Sequence, residues 1–246
     1  MDTRVKPAHD DWNGARRDGS VTPTDIPPMN RSFGPQELEF ILLALRWTVA
    51  LTVVAFIGGG VGGLAVALMR VSRWRALRVV SWGYIMLLQS TPLLMQLFLA
   101  FYGLALLLGV RLDPWPAVAL AFTLWASAFL GDAWRAAIEA IPRTQWEAAE
   151  ALALPRGRVL RLVILPQALR IAIPPTVGFL VQLIKGTSVA AIVGFVEVTR
   201  AGQLMVNVTF QPMLVYPLVA GLYFIICWPI SLAAGRLETR LQRRLA

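Results

Sequence analysis

Few residues in this chain are of the types that catalyse reactions or bind metals. The sequence holds one histidine, His9, in a polar stretch, and one cysteine, Cys227, inside an apolar run. A zinc site needs a cluster of about four Cys, His or carboxylate ligands, and a Ser/His or Cys/His pair needs a histidine beside its nucleophile. A single cysteine cannot form a disulfide within the chain, so it gives no information on the redox compartment. We therefore expect neither a catalytic site nor a metal centre.

Charged side chains inside apolar runs are the next candidates. Asp132, Arg135 and Glu139 are spaced three and four residues apart, so they share one face of a helix. Lys185 interrupts another apolar run. Charges within a membrane are unfavourable and usually face protein or water. Asp132 and Arg135 either pair with each other near the membrane surface or line a path for a solute, and Lys185 either joins a buried pair or faces such a path.

Uncharged polar residues near these positions carry hydrogen-bonding groups that suit the amino or carboxylate group of a solute. The alternative use of each is a polar contact between helices. The candidates for a solute pathway are therefore Gln89, Thr91, Gln96, Asp132, Arg135, Gln182, Lys185, Thr187 and Ser188.

The composition is that of a membrane protein. Hydrophobic residues make up 57% of the 246 residues, charged residues only 15%, and the mean hydropathy is +0.63. A soluble domain carries about 25% charged residues. A helix needs about 20 apolar residues to cross a bilayer. The apolar runs predict an all-α integral membrane protein with about five transmembrane helices, at residues 47–69, 79–110, 114–131, 171–196 and 201–235, the last being most apolar from Leu214.

The arginines predict the orientation of these helices. They concentrate in the link after the first run, in the link after the third run and at the C-terminus, whereas each of the other two links holds a single arginine. Lys and Arg accumulate on the cytoplasmic side of a membrane. The C-terminus is therefore predicted to be cytoplasmic and the N-terminus periplasmic. This topology explains the net charge of +9 without a nucleic-acid surface, because the arginines form no single contiguous stripe.

Two further segments, the polar N-terminal residues and a glycine-rich stretch in the first apolar run, also carry information on the organisation of the chain. Residues 1–36 are polar and rich in Pro, Asp and Gly, so we expect a disordered periplasmic tail, followed by a transmembrane domain at 37–246. The sequence GGGVGG at 58–63 places glycines four residues apart and predicts close helix packing. No Lys-Ser or Lys-Thr follows these glycines, as a phosphate-binding loop requires. We therefore do not expect the chain to hydrolyse ATP.

Residues 142–170, here called the elbow, are helix-prone, arginine-rich and much less apolar than the runs on either side. Thr144 and Glu147 have the spacing of a capping box, which predicts that a helix begins at Thr144. Pro155 is predicted to end this helix, because the residue before a proline avoids helical angles.

The second half of the elbow predicts a turn and another short helix. Gly157 permits the turn, 158–165 suits the helix, and Pro166 is placed to open the next span. Pro174-Pro175 early in that span and Pro92 in the second apolar run are predicted to break helical hydrogen bonding, and a kink at such a position suits either helix packing or a solute pathway. The elbow is therefore a predicted helix–turn–helix, either an amphipathic segment at the membrane surface or a docking site for a partner protein.

The elbow resembles the EAA loop of permease subunits of bacterial ABC importers. The resemblance consists of Glu147-Ala148-Ala149, then Ala153 after three residues, and then VILP at 163–166 after nine more. Val163 stands where the family usually has isoleucine, and Ala153 stands where it usually has glycine. Because that glycine normally helps the chain to turn, we expect Pro155 and Gly157 to provide the turn here. In that family the loop docks into a groove of the cytoplasmic ATPase. The resemblance implies that the coupling residues are Glu147, Ala148, Ala149, Ala153, Arg156, Arg158 and Arg161.

Further motifs resemble the permeases of polar amino acids, of the histidine, arginine, glutamine and glutamate type. They are GDAWRAAIEAIPRTQWEAA at 131–149, QSTPLLMQLFLAFYGL at 89–104, LPQALRIAIPP at 165–175 and KGTSVAAIVGFVEVTRAGQ at 185–203. Asp132 stands where that branch usually has Glu, Gln89-Ser90 replaces Arg-Gly, and Gly186 replaces a common Asp. The resemblance covers residues 47–241.

The resemblance implies a transport subunit of the bacterial inner membrane that forms the pathway for a polar amino acid. The implied partners are a second permease subunit, identical or homologous, a pair of cytoplasmic ATPase subunits that bind the ATP, and a periplasmic amino-acid-binding protein. The chain itself is then no enzyme and binds no cofactor. A stand-alone ion-driven carrier is the alternative, although the two halves show no internal repeat. A membrane scaffold without transport activity is the third possibility.

Overall fold

The computed structural model describes residues 32–109 and 113–245, which contain helices and connecting loops and no strand. The helices are α1 (Pro35–Arg70), α2 (Arg75–Ser90), α3 (Leu93–Phe98), α4 (Leu104–Leu108), α5 (Pro114–Glu139), α6 (Arg143–Ala151), α7 (Arg156–Val159), α8 (Leu165–Gly186), α9 (Val198–Thr209) and α10 (Pro212–Leu245). A π-helical turn, Leu99–Gly103, joins α3 to α4, and another, Leu160–Ile164, joins α7 to α8. A 3₁₀ helix, Thr187–Val193, follows α8.

The predicted all-α membrane fold is confirmed. Within the described residues, four helical segments are long and apolar enough to cross a membrane, and the bent pair formed by α2 and the segment after it gives a fifth. Helix α1 begins at Pro35, twelve residues before the predicted run, because Gly34 N–H donates to Glu37 Oε2 (2.9 Å) and fixes the first turn. The predicted tail lies outside the described residues as far as residue 31.

The second apolar run is bent by 103° between α2 and α3. The bend lies at Pro92, which has no N–H to continue helix α2 and forms the N-cap of α3. The side chain of Gln96 bridges the bend, since its Nε2 donates to Leu88 O (2.7 Å) and to Thr91 O (3.0 Å). The kink predicted at Pro92 is therefore confirmed, and its exposed carbonyls are hydrogen-bonded within the chain.

The core of the bundle is the contact between α1 and α5. The glycines of α1 permit it: a Cβ on Gly59 would lie 2.4 Å from Ala126 Cβ, and one on Gly63 would lie 3.0 Å from Gly131 N. This confirms the close packing predicted from the glycine spacing. Large side chains of α5 and α8, among them Phe122, Trp125, Phe129 and Phe179, fill the adjoining space with aromatic contacts.

The first half of the elbow differs from the prediction. Helix α6 begins at Arg143 with Pro142 as its N-cap and has no side-chain cap, so the capping box predicted at Thr144 is wrong. Pro142 has an extended ψ of 141° and its carbonyl accepts from Gln145 N (3.0 Å), which places Thr144 inside the first turn. The helix ends at Ala151, before Pro155, because Ala153 turns the chain with a left-handed φ of 55°.

The second half of the elbow is also corrected. Gly157 does not form the turn but lies inside α7, for which Pro155 is the N-cap. The predicted separate helix at 158–165 is wrong, since helical structure continues from Arg156 to Gly186 through the π-helical turn. That turn widens the helix just before Pro166, whose ring nitrogen has no hydrogen to donate. Pro174 and Pro175 lie inside α8, so the loss of their two backbone donors interrupts the hydrogen bonding locally without ending the helix.

Candidate functional site

The elbow is held against the bundle by a small apolar cluster. Ala149 of α6 is 4% exposed and Val159 of α7 is fully buried, and both pack with Ile138, Ile141 and Ile164. Trp146 and Leu154 cover the edge of this cluster. Ala149, a predicted coupling residue, therefore faces the bundle and fixes α6 to it.

The opposite face of the elbow is exposed. Among the predicted coupling residues, the exposed ones are Glu147, Ala148, Ala153, Arg156, Arg158 and Arg161. Leu152, which the sequence prediction did not include, is 75% exposed beside them. The ion pair between Glu150 and Arg156 is long (3.8 Å) and lies at the surface, where such pairs contribute little. This combination of an exposed apolar side chain and weakly engaged charges is typical of a surface that binds another protein.

The charged face of α5 pairs within its own helix. Arg135 Nε and Nη2 donate to Asp132 Oδ1 at 3.0 and 2.9 Å, and Arg135 Nη1 contacts Glu139 Oε2. Arg135 and Asp132 are partly buried near the elbow end of α5. The three residues share one face as predicted, and Asp132 and Arg135 pair with each other.

Two other predicted pathway residues lie at the bend between α2 and α3. Gln96 and Thr91 line an apolar cavity of about 320 Å³ between these helices and α5. Gln96 Nε2 also donates to Thr91 Oγ1 (3.0 Å), while Gln96 Oε1 is buried with no hydrogen-bond partner in the described part of the chain. Gln89 lies nearby on α2 and is exposed.

The remaining predicted residues lie at the end of α8. Gln182 and Lys185 are exposed, and with Pro175 and Gly178 they form one stripe along the helix, here called the α8 stripe. Lys185 makes no ion pair with any described residue, so the buried-pair alternative is not observed. Thr187 is fully buried, and Ser188 Oγ donates to Lys185 O (2.8 Å).

A polar cluster around Glu197 was not predicted. Glu197 is fully buried and its carboxylate accepts from Tyr223 Oη (2.6 Å), Thr199 N (2.9 Å) and Arg200 N (2.8 Å). It is the N-cap of α9, and Val198 N donates to Thr48 Oγ1 (3.3 Å) of α1. Burial raises the pKa of Glu197, while the hydrogen bonds from Tyr223 and from the two backbone groups oppose the rise. An acidic residue directly before a helix is the sequence signal that would have identified this cap.

Comparison with known proteins identifies the family. Residues 44–246 match the family model of the binding-protein-dependent transport system inner membrane component. The chain belongs to this family. The resemblance noted in the elbow and in the spaced motifs is therefore confirmed, and this binding-protein-dependent transport component is a multi-pass permease of the inner membrane.

Individual relatives of this transport component agree with the family match. The L-cystine transport system permease protein TcyB of Bacillus subtilis is 36% identical over 229 residues, covering 93% of this chain and 95% of TcyB. The probable glutamine ABC transporter permease protein GlnM of the same organism is 32% identical over 196 residues, covering 80% of this chain and 90% of GlnM. The crystal structure of an amino acid ABC transporter with histidines superposes with a TM-score of 0.78 at 28% identity, covering 83% of this chain and 95% of that one.

Proposed function

We propose that this permease forms the pathway through which an ATP-driven importer carries a polar amino acid into the cell. The observation that carries the proposal is the exposed elbow on a fold that matches an amino acid ABC transporter. The relatives named for L-cystine and glutamine support an α-amino acid as the cargo. Exposed Glu147 and Leu152 would contact a separately encoded ATPase, which binds and hydrolyses the ATP.

The proposed orientation follows from the arginines. The elbow, the link after α1 and the C-terminal end of α10 hold most of the arginines and would lie in the cytoplasm. The Glu197 cluster and the N-terminus would then lie on the periplasmic side, where a binding protein delivers the amino acid. A second permease subunit, identical or homologous, would complete the pathway.

The continuous helix from α7 to α8 suggests how movement of the elbow reaches the pathway. Ala149 and Val159 fix α6 to the start of this helix, so the elbow and the helix move as one body. The α8 stripe lies near the other end of the same helix. When ATP closes the two ATPase subunits, displacement of the elbow would therefore reposition Gln182 and Lys185.

The α8 stripe is the best-supported part of the proposed pathway. Lys185 has no ion-pair partner in the part of the chain that the structure describes, and a lysine and a glutamine are unfavourable against lipid. This side of α8 should therefore face water or the second permease. Gln182 and Lys185 offer donors and an acceptor for the carboxylate and amino groups of the cargo. We retain Gln89, Thr91, Gln96, Asp132, Arg135, Thr187 and Ser188 as proposed pathway residues. The chain is proposed to bind neither a cofactor nor nucleic acid and to catalyse no covalent step.

The coupling role is tested by Glu147→Lys in the permease reconstituted with its ATPase and its binding protein. Reversal of this exposed charge should lower ATP-dependent uptake at least about tenfold, because the elbow then repels or misplaces its partner. Glu238→Lys, the same reversal on exposed α10 at the same end of the molecule, should leave uptake unchanged. Full uptake by Glu147→Lys would contradict the role of the elbow.

The alternative of a stand-alone ion-driven carrier is tested by measuring uptake without ATP. The permease alone is placed in ATP-free vesicles that carry a proton or sodium gradient. We expect no uptake of an amino acid under these conditions. Uptake driven by the gradient would replace the importer proposal with a stand-alone carrier.

A further inference from the structure

A cavity with charged residues in its wall lies between the link after α1 and the elbow. Its volume is about 380 Å³, and Arg73, Arg78, Trp146, Glu150 and Arg156 are among the residues that line it. These residues are here called the arginine pocket. Three guanidinium groups against one carboxylate leave the arginine pocket with a net positive charge. The transport mechanism proposed above uses neither the cavity nor the arginines of the link.

The arginines of the pocket are only partly engaged. Arg78 Nη1 donates to Ser72 O (2.9 Å) and Arg73 O (3.3 Å), which fixes its guanidinium at the wall of the pocket. Arg73 is exposed and forms no ion pair with the described residues. Glu150 lies 3.8 Å from Arg156, so the single carboxylate neutralises that group weakly. The arginines of the pocket therefore carry N–H donors that are available to an anion.

The surroundings of the pocket place it at a membrane surface. Trp74, in the same link, is 61% exposed, and tryptophan favours the level of the lipid headgroups. Helix α2 leaves this link with Val79, Val80 and Trp82 exposed by 56%, 62% and 51%, which is a surface for acyl chains directly beside the link. A ligand with a phosphate and acyl chains therefore matches both parts.

We propose that the arginine pocket binds the phosphate of an anionic membrane phospholipid of the phosphatidylglycerol type. The phosphate accepts hydrogen bonds from Arg73 and Arg156, and the acyl chains lie along the exposed face of α2. Arg73 belongs to the link and Arg156 to the elbow, so one headgroup ties the two segments together. This inference requires the membrane-spanning fold and is independent of the identity of the transported solute.

The test is a lipid titration of the full permease with its ATPase, followed by native mass spectrometry. Phosphatidylglycerol is added to wild type, Arg73→Gln and Arg75→Gln. Arg73→Gln should raise the concentration needed to retain one lipid at least about fivefold, because the phosphate loses a charged hydrogen-bond donor. Arg75→Gln removes the same charge from an exposed residue at the start of α2 that does not line the pocket, so this variant should retain the lipid as wild type does. Equal retention by wild type and Arg73→Gln, or an equal loss in both variants, would overturn the proposal.

Two measurements on the wild type distinguish a lipid from a free anion and need no variant. Phosphatidylcholine, which lacks the net negative charge, should be retained at least about fivefold more weakly than phosphatidylglycerol. Inorganic phosphate at the same concentration should not raise the melting temperature of the complex, whereas phosphatidylglycerol should. Equal retention of the two lipids, or equal stabilisation by inorganic phosphate, would contradict a lipid headgroup site.

Discussion

Two glutamates at opposite ends of the molecule differ in burial and in hydrogen bonding. Glu197 is fully buried, and a tyrosine hydroxyl and two backbone amides donate to its carboxylate. Glu147 is exposed on the elbow and makes no hydrogen bond or ion pair with the described residues. The chain completes the polar contacts of Glu197 with its own groups, whereas it leaves the carboxylate of Glu147 open to a partner. Changes in the body should therefore cost stability, and changes on the exposed elbow face should cost function at unchanged stability.

The largest loss of stability is expected at the contact between α1 and α5. In Gly59→Ala the new Cβ would lie 2.4 Å from Ala126 Cβ and 3.1 Å from Ala126 C, so the two helices must separate. We expect a destabilisation of about 3 kcal/mol or more, enough to deplete the folded protein. The measurement is the monodisperse fraction and the melting temperature of purified protein in detergent.

The matched control for this change is one residue further along the helix. Gly60→Ala adds the same methyl group, but its nearest neighbour would be Trp134 Cη2 at 3.7 Å. We expect Gly60→Ala to fold at least as well as wild type, because alanine favours a helix over glycine by about 1 kcal/mol. If both variants fold equally well, the body of the bundle is not as closely packed as described.

The next largest effect is expected at the buried glutamate. Glu197→Ala removes the acceptor of three donors, including two that begin α9, and should destabilise the permease by about 2 kcal/mol. Asp113→Ala is the comparison, because Asp113 is the N-cap of α5 but is exposed to water. Thermal unfolding should show the smaller loss for Asp113→Ala. Equal losses would mean that burial of the Glu197 cluster is unimportant.

The pH dependence of stability gives a smaller effect at the same residue. The pKa of Glu197 is raised above 4.5 in the folded state, so the folded protein binds this proton more tightly than the unfolded protein. Stability from this group is therefore greatest below 4.5 and is lost as the pH rises through the raised pKa. The melting temperature of wild type minus that of Glu197→Gln should increase as the pH is lowered from 7.5 to 5. A difference that stays constant or falls would contradict the raised pKa.

The smallest effect is expected in the elbow, where Ala153 holds a left-handed φ of 55°. Left-handed angles cost a non-glycine residue about 1 kcal/mol, so Ala153→Gly should raise stability by up to about that amount. Ala151→Gly, inside α6, should have the opposite sign because it removes a helix-favouring residue. Differential melting in detergent measures both. A lower melting temperature for Ala153→Gly would argue against the left-handed turn.

Composition and spacing alone predict much of the body of this fold. Membrane helices satisfy their own backbone hydrogen bonds, so a long apolar run is sufficient evidence for a helix. The glycines at 59 and 63 lie on one face of α1, so a close contact of this helix with another can also be predicted from the sequence. The start of α1 at Pro35 was missed because its first turns are polar and are fixed by the local bond between Gly34 and Glu37.

In the elbow, local rules for proline and glycine fail because packing against the bundle determines where the chain turns. The sequence predicts a helix end at Pro155 and a turn at Gly157, yet the chain turns at Ala153, where neither proline nor glycine is present. Packing of Ala149 and Val159 against the bundle fixes both sides of that turn and favours its strained angle. Pro166 lies in the first turn of α8, as predicted, but a π-helical turn that no residue pattern marks joins this helix to α7.

The sequence predicts which residue types belong to the candidate site better than it predicts which of them contact each other. The sequence placed Asp132, Arg135 and Glu139 on one face correctly, because i, i+3 and i, i+4 spacing needs only a helix. It did not reveal that Gln96 bridges the bend at Pro92, because that contact depends on the angle of the bend. It also did not reveal that Glu197 contacts Tyr223, because these two residues lie on different helical segments.

The central claim is that the elbow lies in the cytoplasm against the ATPase, and cysteine labelling tests it directly. Cys227→Ala removes the single native cysteine, and Leu152→Cys then places one thiol on the exposed elbow face. A membrane-impermeant maleimide should label this variant in inside-out vesicles and not in right-side-out vesicles, and bound ATPase should block the labelling. Val196→Cys at the opposite end should show the reverse sidedness and no protection by the ATPase. Labelling of Leu152→Cys from the outside, or labelling that bound ATPase leaves unchanged, would contradict the account.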